Sequence, residues 1–507
     1  MRYYIKIDND SEYVYIFNNM SIKNLKILNN FLQINWKTKS SLNNCNEYGS
    51  RFISSWSTNF LTILHRCGLN FITSVERRIR TKKKYNYDPL LEQKYPCQLK
   101  QKSNKVKIIH DIELFNELNN LGMDKQEIKY YNNYRQSFTD VELYDLAQSN
   151  SEHSRHWFFN GKNTQLFQQI KNTLGNNTNS LLAFCDNSSV IKGYPIKTII
   201  NNKLQNKIYD IVYTAETHNF PTGISPFPGA ATGVGGRIRD NQAVGRGGLL
   251  VASIAGYCVS EPYYKHNFPS GEEILIKASN GASDYGNKIG EPIIQGFTRS
   301  HKNWIKPIMF SGGLGQVDRN HIIKCKSYPG LLVVRLGGPA YPIGIGGGSA
   351  SSSNQDSLNL KAVQRGDPQM ENKLNKVIRA CIELNNNIIH SIHDQGAGGL
   401  GNVVKEIIYP CGADIYLDNV TLGDKTMSAK EIWISEFQES NVILIDKNNL
   451  EKLNEICKRE NLIVDCLGVT NCSKKIKVFF KNEKVVEFDL DFCLGDLPQK
   501  EYKLENR

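Results

Sequence analysis

The hydrophobic pattern of the first hundred residues predicts a small α/β domain. Short apolar runs at Tyr3–Ile7, Tyr13–Phe17 and Gln33–Trp36 are typical of strands. Ile22–Phe31 and Ser57–Leu69 instead carry apolar residues at helical spacing. The polar and charged segment KKKYNYDPLLEQKYP then predicts a domain edge, so that the first domain would span residues 1–97.

Residues 98–140 are expected to form a helical linker. The stretch DIELFNELNNLGMDKQEIKYYNNY has the pattern of short helices that are broken at Gly122. Thr139 and Asp140 then offer an N-cap for a helix over VELYDLAQSNSEHSRHWFF, because a side-chain oxygen there can accept from the backbone N–H groups of the first turn.

From residue 207 the pattern changes to apolar strands separated by glycine turns. IYDIVYTAET leads into a glycine-rich segment between Gly223 and Gly248, and LLVASIAGYCV, EEILIKAS and KPIMFSGGLGQV are predicted as further strands. A second block has the strand LLVVRLGG, a glycine turn, a helix over MENKLNKVIRACIEL and the strand NIIHSIHD. The predicted fold class is therefore α+β or α/β, with domains over residues 141–330 and 331–485 and a tail over 486–507.

The composition is that of a globular protein, since 40% of the 507 residues are hydrophobic and 22% are charged. No apolar run reaches the roughly 18 residues that a membrane-spanning helix needs, and the first residues do not resemble a signal peptide. None of the twelve cysteines forms a CxxC pair. We therefore expect free thiols in a reducing cytoplasm, with no zinc site.

The chain is basic, with 62 Lys and Arg against 50 Asp and Glu and a formal net charge of +12. Such a charge could indicate nucleic acid or another anionic partner. The basic runs, such as residues 80–84, are short and scattered, and no recognised nucleic-acid-binding motif accompanies them. We therefore expect no nucleic-acid partner.

Two histidines lie close together in the motif SNSEHSRHW. His153 and His156 are three residues apart and would share one face of a helix. They could form a metal-binding pair, although no third ligand is obvious, or one of them could contact a substrate or act in catalysis.

The segment ETHNFPTGISPFPGAATGVGGRIRD combines glycine with charged and imidazole side chains. Glu216 and His218 are expected at the end of a strand, and the glycine-rich backbone after them could cradle phosphates with its N–H groups. Arg239 could bind phosphate or carboxylate, and Asp240 could hold Mg²⁺. The segment is neither a GxxxxGK[ST] loop nor a Rossmann fingerprint. The alternative is a set of glycine turns with a surface ion pair.

Further polar candidates follow in the second block. Asp394, in HDQGAGGL, is expected at a strand end and could bind a metal or a ribose, or could simply cap the turn. AVQRGDPQMENK and ISEFQESN contain residues that could bind a substrate, although each could equally begin a helix or lie at the surface. They are Gln364, Asp367, Glu436, Gln438 and Glu439.

Together these motifs resemble the large single-chain formylglycinamide ribonucleotide amidotransferases (phosphoribosylformylglycinamidine synthases) of purine biosynthesis. DLAQSNSEHSRHWFF, YTAETHNFPTGISPFPGAATGVGGRIRD, ASNGASDYGNKIGEP, KPIMFSGG, AVQRGDPQME and SIHDQGAGG occur in the family's order and spacing. SWSTNFLTILHRCGL is similar to part of the family's small first domain, here shortened. The resemblance covers nearly the whole chain.

The resemblance implies both a fold and a reaction. A small-subunit-like N-terminal domain and a helical linker would precede two domains like those of aminoimidazole ribonucleotide synthetase, with ATP in the groove of the first and substrate between the two. The enzyme would be an ATP-dependent carbon–nitrogen ligase. ATP would phosphorylate the amide oxygen of formylglycinamide ribonucleotide, ammonia would displace the phosphate to give the amidine, and Mg²⁺ would offset the phosphate charge.

The same resemblance implies roles for individual residues. His153 would lie near the transferred phosphoryl group, and His218 would accept a proton. Metal would be bound by Glu216, Asp240 and Asp394. Substrate would contact Arg239, Gln364, Glu436, Phe437 and Gln438. ATP would contact Gly229, Ala230, Ala231, Thr232, Gly233, Val234, Gly235, Gly236, Arg237, Ile238, Arg239, Asp240, Gln295, Gly296 and Phe297.

The sequence departs from the family pattern in two respects. Ser154 stands where some members have cysteine, so a thiol is not required there. The family's large chains also contain a second synthetase-like half and a glutaminase domain, whose nucleophilic cysteine lies in a GxCNG-like elbow that this sequence lacks. The resemblance therefore predicts an N-terminal half that works with a second half and a glutaminase on separate chains. A homodimer that uses free ammonia and a non-catalytic remnant that keeps only the fold are the alternatives.

Overall fold

The computed structural model describes residues 2–18, 20–34, 36–96, 105–262, 264, 269–348, 360–437, 439–495 and 497–502. The chain falls into two compact units. One comprises Met1–Ser103 with Leu422–Thr426, and the other comprises Asn104–Thr421 with Met427–Arg507. Within the described ranges, no helix is both long and apolar enough to cross a membrane.

The first unit is an antiparallel sheet with two helices. Its elements are β1 (Arg2–Lys6), β2 (Ser11–Phe17), α1 (Ile22–Leu32), β3 (Asn46–Ser50), α2 (Ser55–Arg66), β4 (Val75–Thr81) and β5 (Glu92–Tyr95). The strand order is β1-β2-β4-β3-β5. The strand predicted at Gln33–Trp36 is wrong, because Gln33 ends α1 in the left-handed conformation, with φ 53°. The Trp36 ring is buried and packs edge to face against Tyr3 and Phe17.

Short helices form the linker, as the sequence predicts. The elements are β6 (Ile108–Ile109), α3 (Ile112–Asn119), α4 (Lys125–Tyr134), β7 (Phe138–Thr139), α5 (Asp140–Ser149), α6 (Glu152–Arg155) and α7 (Leu166–Asn172). Gly122 separates α3 from α4 with a positive φ of 78°. The Thr139 side chain caps α5 and forms a capping box with Glu142, which confirms the predicted start of that helix.

A six-stranded sheet follows, with three helices packed against it. The elements are β8 (Ser180–Leu182), β9 (Ser189–Ile200), β10 (Lys203–Thr217), α8 (Asn219–Ile224), α9 (Pro226–Gln242), β11 (Leu249–Val259), α10 (Gly271–Ile289), β12 (Ile293–Ser300) and β13 (Ile308–Asp318). The strand order is β12-β11-β13-β10-β9-β8. On the face that we call the outer face, Ile191, Tyr213 and Phe297 are 40%, 43% and 42% exposed.

Two of the predictions for this region are wrong. EEILIKAS is not a strand but lies in α10, whose buried residues Ile274, Ala278, Ala282, Tyr285 and Ile289 repeat every three or four positions. That helical period emerges only over a longer window than the eight residues of the motif. The glycine-rich segment is likewise mostly helix, in α8 and α9, rather than a series of turns.

The second block forms a seven-stranded sheet. Its strands are β14 (Leu332–Gly337), β15 (Ser391–Asp394), β16 (Gly412–Tyr416), β17 (Ser440–Ile445), β18 (Ile463–Asn471), β19 (Lys475–Phe480) and β20 (Glu483–Asp489), in the order β15-β17-β14-β18-β16-β19-β20. Its helices are α11 (Pro368–Ile382), α12 (Gly399–Ile408), α13 (Ala429–Ile434), α14 (Leu450–Glu460) and α15 (Leu490–Leu494).

The sheet shifts two of the expected domain edges. The edge predicted after residue 485 falls inside β20, because Val486 pairs with Val478 of β19 and Phe488 with Ile476. Helix α5, which begins at the edge predicted near residue 141, packs against α12, α13 and β20. The first residues of the domain predicted over 141–330 therefore pack with the second block rather than with the six-stranded sheet.

Candidate active site

A cavity of about 260 Å³ collects most of the polar residues that the sequence singled out. Strand β10 ends at its wall, α9 runs along it, and the loops after β15 and α13 close it from the second block. Its polar lining comprises His153, Glu216, Thr217, His218, Asn219, Thr232, Arg239, Asp240, Lys306, Gln364, Asp394 and Glu436.

Gly233 and Gly235 of α9 allow close packing against neighbouring segments. A Cβ at Gly233 would lie 2.7 Å from the His218 Cβ, and one at Gly235 would lie 2.7 Å from the Tyr285 Cζ. The glycines thus let α9 approach α8 and α10 closely. The predicted cradle of backbone N–H groups is wrong for the interior of α9, because those groups bond along the helix. Thr232, Gly233, Gly236, Arg239 and Asp240 face the cavity, and the rest of residues 229–240 do not line it.

His218 is held as a neutral imidazole with a defined tautomer. It follows β10, and its Nδ1 lies 2.5 Å from the Gly229 carbonyl oxygen. Since a carbonyl oxygen can only accept, Nδ1 carries the proton and Nε2 is left with its lone pair. Burial lowers the pKa of His218 to about 4, although the bond to Gly229 opposes the shift. The ring can therefore accept a proton at neutral pH.

Glu216, Asp240 and Asp394 form a group of three carboxyls at the cavity, in which Asp240 and Asp394 are buried and Glu216 is exposed. Restricted hydration at the cavity wall, followed by the charge of Asp394, raises the pKa of Glu216 to about 7. Burial and the charges of Glu216 and Asp394 also raise the pKa of Asp240 well above its ordinary value. Burial opposes ionisation of Asp394 too, but the hydrogen bond and charge of His393 outweigh it and lower that pKa. Glu216 and Asp240 are therefore protonated more easily than free carboxyls, and Asp394 less easily.

These three carboxyls do not by themselves make a metal site. In the part of the chain that the structure describes, no three His, Cys, Asp or Glu side chains are arranged to hold a metal ion. The donors are nevertheless hard oxygens, the type that Mg²⁺ prefers. Mg²⁺ commonly takes only one or two protein carboxylates and completes its shell with phosphate oxygens and water.

The two histidines of the SNSEHSRHW motif have different surroundings. His153 lies in α6 and lines the cavity, and desolvation, followed by the charge of His156, lowers its pKa. His156 ends α6 in the left-handed conformation, and its ring stacks on Phe167 at 6.2 Å. The described residues hold no metal cluster at this motif, and of the two histidines only His153 lines the cavity.

Arg239 is buried and paired with acids of the second block, so the alternative of a surface ion pair is wrong. Its Nη1 lies 3.4 Å from Glu371 Oε2. Burial alone would lower the pKa of Arg239, but the charges of Glu371, Tyr285 and Glu439 raise it. The neighbouring Arg237 makes a buried two-pronged bond to Glu291, with both distances 2.6 Å. It supports α9 and does not face the cavity.

Gln364 and Glu436 meet at the opposite wall. The Gln364 amide nitrogen donates to Glu436 Oε2, and the backbone N–H groups of Gly348 and Gly398 each donate to Oε1 at 3.3 Å. Burial outweighs these bonds and raises the pKa of Glu436 to about 7. The carboxyl therefore lies close to its titration midpoint at neutral pH.

Several predicted residues lie away from the cavity. Phe437 is fully buried, with the Arg335 guanidinium 5.0 Å from its ring, and Gln438 lies outside the described residues. Gln295, Gly296 and Phe297 belong to β12, at the edge of the six-stranded sheet, and do not line the cavity. Asp367 caps α11, and Glu439 accepts from the Tyr285 hydroxyl at 2.7 Å.

Sequence reasoning missed two polar residues at the site. Lys306 lines the cavity immediately before β13, which pairs with the end of β10 that carries Glu216. Asn187 contacts Asp240 and Asp394 from the loop before β9. The basic residue that opens KPIMFSGG was a visible signal, but strand pairing was needed to place it beside the ETHNF motif.

Comparison with known proteins finds similarity over parts of the chain. The model of the formylglycinamide ribonucleotide amidotransferase linker domain matches residues 112–156, and that of the C-terminal domain of AIR-synthase-related proteins matches residues 328–481. A probable phosphoribosylformylglycinamidine synthase, chloroplastic/mitochondrial, of Arabidopsis thaliana is 42% identical over 90% of this chain and 39% of its own length. This chain is a homologue of part of the formylglycinamide ribonucleotide amidotransferases.

Other relatives agree with the assignment. The phosphoribosylformylglycinamidine synthase of Homo sapiens is 37% identical over 95% of this chain and 43% of its own length. The chain thus spans about two fifths of the length of these relatives. The structure of T. maritima PurL complexed with FGAR aligns with a TM-score of 0.58 and 25% identity, covering 73% of this chain and 55% of that one. PurL complexed with ADP, at 24% identity and a TM-score of 0.58 over 75% of this chain and 56% of that one, shares the fold.

Proposed function

We propose that this chain is a synthetase half of phosphoribosylformylglycinamidine synthase. It would convert formylglycinamide ribonucleotide, ATP and ammonia into formylglycinamidine ribonucleotide, ADP and phosphate. The observation that carries the proposal is the single cavity that unites His153, neutral His218 and three carboxyls with Gln364 and Glu436 of the second block. The identity to relatives that bear this enzyme's name and the likeness to a PurL bound to FGAR support it.

The proposed chemistry makes a poor leaving group into a good one. The amide oxygen attacks the terminal phosphorus of ATP, ADP leaves, and the amide nitrogen loses its proton to give an iminophosphate. Nε2 of His218 is suited to accept that proton, since its pKa of about 4 leaves the ring neutral. Ammonia then adds to the carbon and phosphate departs. His153, at the same cavity, would stabilise charge on the transferred phosphoryl group.

Substrate and nucleotide would share the cavity. Arg239, Gln364 and Glu436 are proposed to contact the ribonucleotide, and the cavity-facing residues of α9 are proposed to contact ATP. Lys306 adds a cation at the same wall, where it suits a phosphate group. Oxygens of Glu216, Asp240 and Asp394 would hold Mg²⁺ together with the phosphates, and the bound ion would offset phosphate charge.

The outer face supports a partner with the same architecture. Its exposed Ile191, Tyr213 and Phe297 lie on β9, β10 and β12, and the partly buried Phe310 and Leu314 of β13 lie between β10 and β12. We propose that a second synthetase-like half covers this face and that a glutaminase supplies ammonia. A second copy of this chain is the alternative. The eleven described cysteines are unpaired, which suits a cytoplasmic location.

Reconstitution tests the proposal. The purified chain is mixed with a chain that carries the remaining synthetase-like part, and ADP release is measured with formylglycinamide ribonucleotide, Mg·ATP and ammonium chloride. We expect little activity from either chain alone and amidine formation from the mixture. Amidine formation by the chain alone, as a dimer, would favour the homodimer, and a mixture without activity would contradict the proposal.

His218→Asn tests the proposed base with the fold preserved. The asparagine amide can still donate to the Gly229 carbonyl but offers no Nε2 lone pair. We expect kcat to fall by roughly 10²–10⁴, the usual contribution of a general base. His156→Asn, in the same segment but away from the cavity, is the matched control and should retain kcat. Equal rates for the two variants would remove His218 from the mechanism.

A further inference from the structure

The loop between β8 and β9 joins the two halves of the cavity wall. Asn187 in this loop contacts Asp240, near the end of α9, and Asp394, at the end of β15. Its side-chain nitrogen Nδ2 lies 3.2 Å from Asp240 Oδ1 and 2.6 Å from Asp394 Oδ1. One amide group thus bridges a carboxyl of helix α9 and a carboxyl of strand β15 in the second block.

The direction of the Asn187 amide is fixed by its neighbours. Its oxygen Oδ1 accepts from Lys324 Nζ at 2.9 Å. A lysine ammonium can only donate, so the amide oxygen must face Lys324 and the amide nitrogen must face the two acids. Both amide protons are therefore directed to the carboxyls, and a flipped side chain would lose all three bonds.

The loop itself is anchored on both sides of Asn187. Asp186 pairs with Lys324 at 2.5 Å and accepts from the Gly245 backbone N–H at 2.9 Å. The Ser188 hydroxyl donates to the backbone carbonyl of Asp240 at 3.0 Å. The residues on either side of Asn187 thus contact the segment after α9 and Asp240 itself. These contacts give Asn187 a defined position.

The bridge leaves the other face of Asp394 for a ligand. Asn187 and His393 both approach Oδ1, His393 with its Nδ1 at 3.4 Å. Oδ2 lies instead on the side of the cavity-lining Gly396, where an added Cβ would be 3.6 Å away. The contacts from Asn187 and His393 therefore orient the Asp394 carboxylate and leave its Oδ2 on the side of the cavity.

We infer that Asn187 is a positioning residue that holds Asp240 and Asp394 together as a pair of ligands for the Mg²⁺ of a bound nucleotide. The inference rests on the proposed function. Hydrogen-bond partners behind metal ligands fix the direction of the ligating oxygens, and their loss typically weakens metal binding by roughly 10–100-fold. Asn187 would thereby couple nucleotide binding to the contact between α9 and β15.

Calorimetric titration of the full chain with ADP, in Mg²⁺ and in EDTA, tests this role. In wild type, Mg²⁺ should tighten ADP binding. Asn187→Ala should lower that tightening by roughly tenfold or more while ADP binding in EDTA stays unchanged, a pattern that general damage to the fold would not produce. Asn187→Ser, which is too short to bridge both acids, should behave similarly and serves if the alanine variant does not fold.

Asn320→Ala is the matched control. Asn320 also donates its side-chain amide to an aspartate, Asp318 at 3.1 Å, and neither residue lines the cavity. The Asn320→Ala variant should leave the tightening of ADP binding by Mg²⁺ unchanged. A wild-type chain that does not bind ADP in either buffer would contradict the proposed function. A wild type that responds to Mg²⁺, with Asn187 variants that respond equally, would overturn the role of Asn187 alone.

Discussion

At Glu436, three hydrogen-bond donors converge on a carboxyl group whose ionisation burial opposes. The outcome is a pKa of about 7, above the ordinary value of 4.5. Between these two values the folded chain keeps a proton that the unfolded chain loses, so stability falls as pH rises through this window. A buried acid that is ready to bind a ligand therefore lowers the stability of the empty protein at neutral and higher pH.

Glu436→Gln should remove this pH dependence. The variant stays neutral at every pH, and its amide can accept from the glycine N–H groups and donate to the Gln364 oxygen after that amide turns. Thermal unfolding of the ligand-free chain should show the variant melting roughly 2–4 °C above wild type at pH 8 and little different at pH 5. A difference that is the same at both pH values would contradict the titration of Glu436.

At the scale of elements, α9 shows how one helix serves both the core and the cavity. Gly235 faces Tyr285 of α10, whereas the adjacent Gly236 faces the cavity, where an added Cβ would meet only Arg239 Nη2 at 3.8 Å. Two neighbouring glycines in one helix are thus required for different reasons. The first allows close helix packing, and the second leaves room for a ligand.

Alanine at each of these positions should have opposite effects on stability. Gly235→Ala should lower the free energy of unfolding by roughly 1–3 kcal/mol, because Tyr285 is buried and cannot move away. Gly236→Ala should raise it by up to about 1 kcal/mol through helix propensity and weaken ADP binding. Urea denaturation and ADP titration measure both effects. Equal destabilisation by the two variants would contradict the different roles given to Gly235 and Gly236.

For the whole molecule, the outer face of the six-stranded sheet is the surface that the fold leaves for a partner. Helices α8, α9 and α10 pack against the sheet, yet Ile191, Tyr213 and Phe297 remain exposed. The chain also spans only about two fifths of its relatives' length. The exposed apolar face favours the proposed assembly, in which a second synthetase-like part covers it.

Phe297→Lys should weaken that assembly. An ammonium group buried without a partner is unfavourable, so we expect the affinity for the second half to fall by roughly tenfold or more in sedimentation experiments. Ile323→Lys is a matched control, because Ile323 is 75% exposed outside the sheet strands. Unchanged binding by Phe297→Lys would place the partner elsewhere.

The sequence by itself determined much of the local structure. The Thr139 cap, the break at Gly122 and the strand ends at Glu216 and Asp394 could be predicted, because capping, glycine conformation and short-range periodicity act over a few residues. The motifs also indicated His153 and His218, which the structure brings to one cavity. Whether they act as proposed is a matter for the reconstituted enzyme.

Only the tertiary structure decided which polar residues meet. The glycines of α9 were expected to free a loop, but Gly229 and Gly235 are explained by contacts with α8 and α10. Glu436 faces the cavity while its neighbour Phe437 packs in the core, and Asn187 reaches two acids from distant parts of the chain. The physical reason is that burial and the pairing of charges depend on contacts between segments far apart in sequence, which no local pattern records.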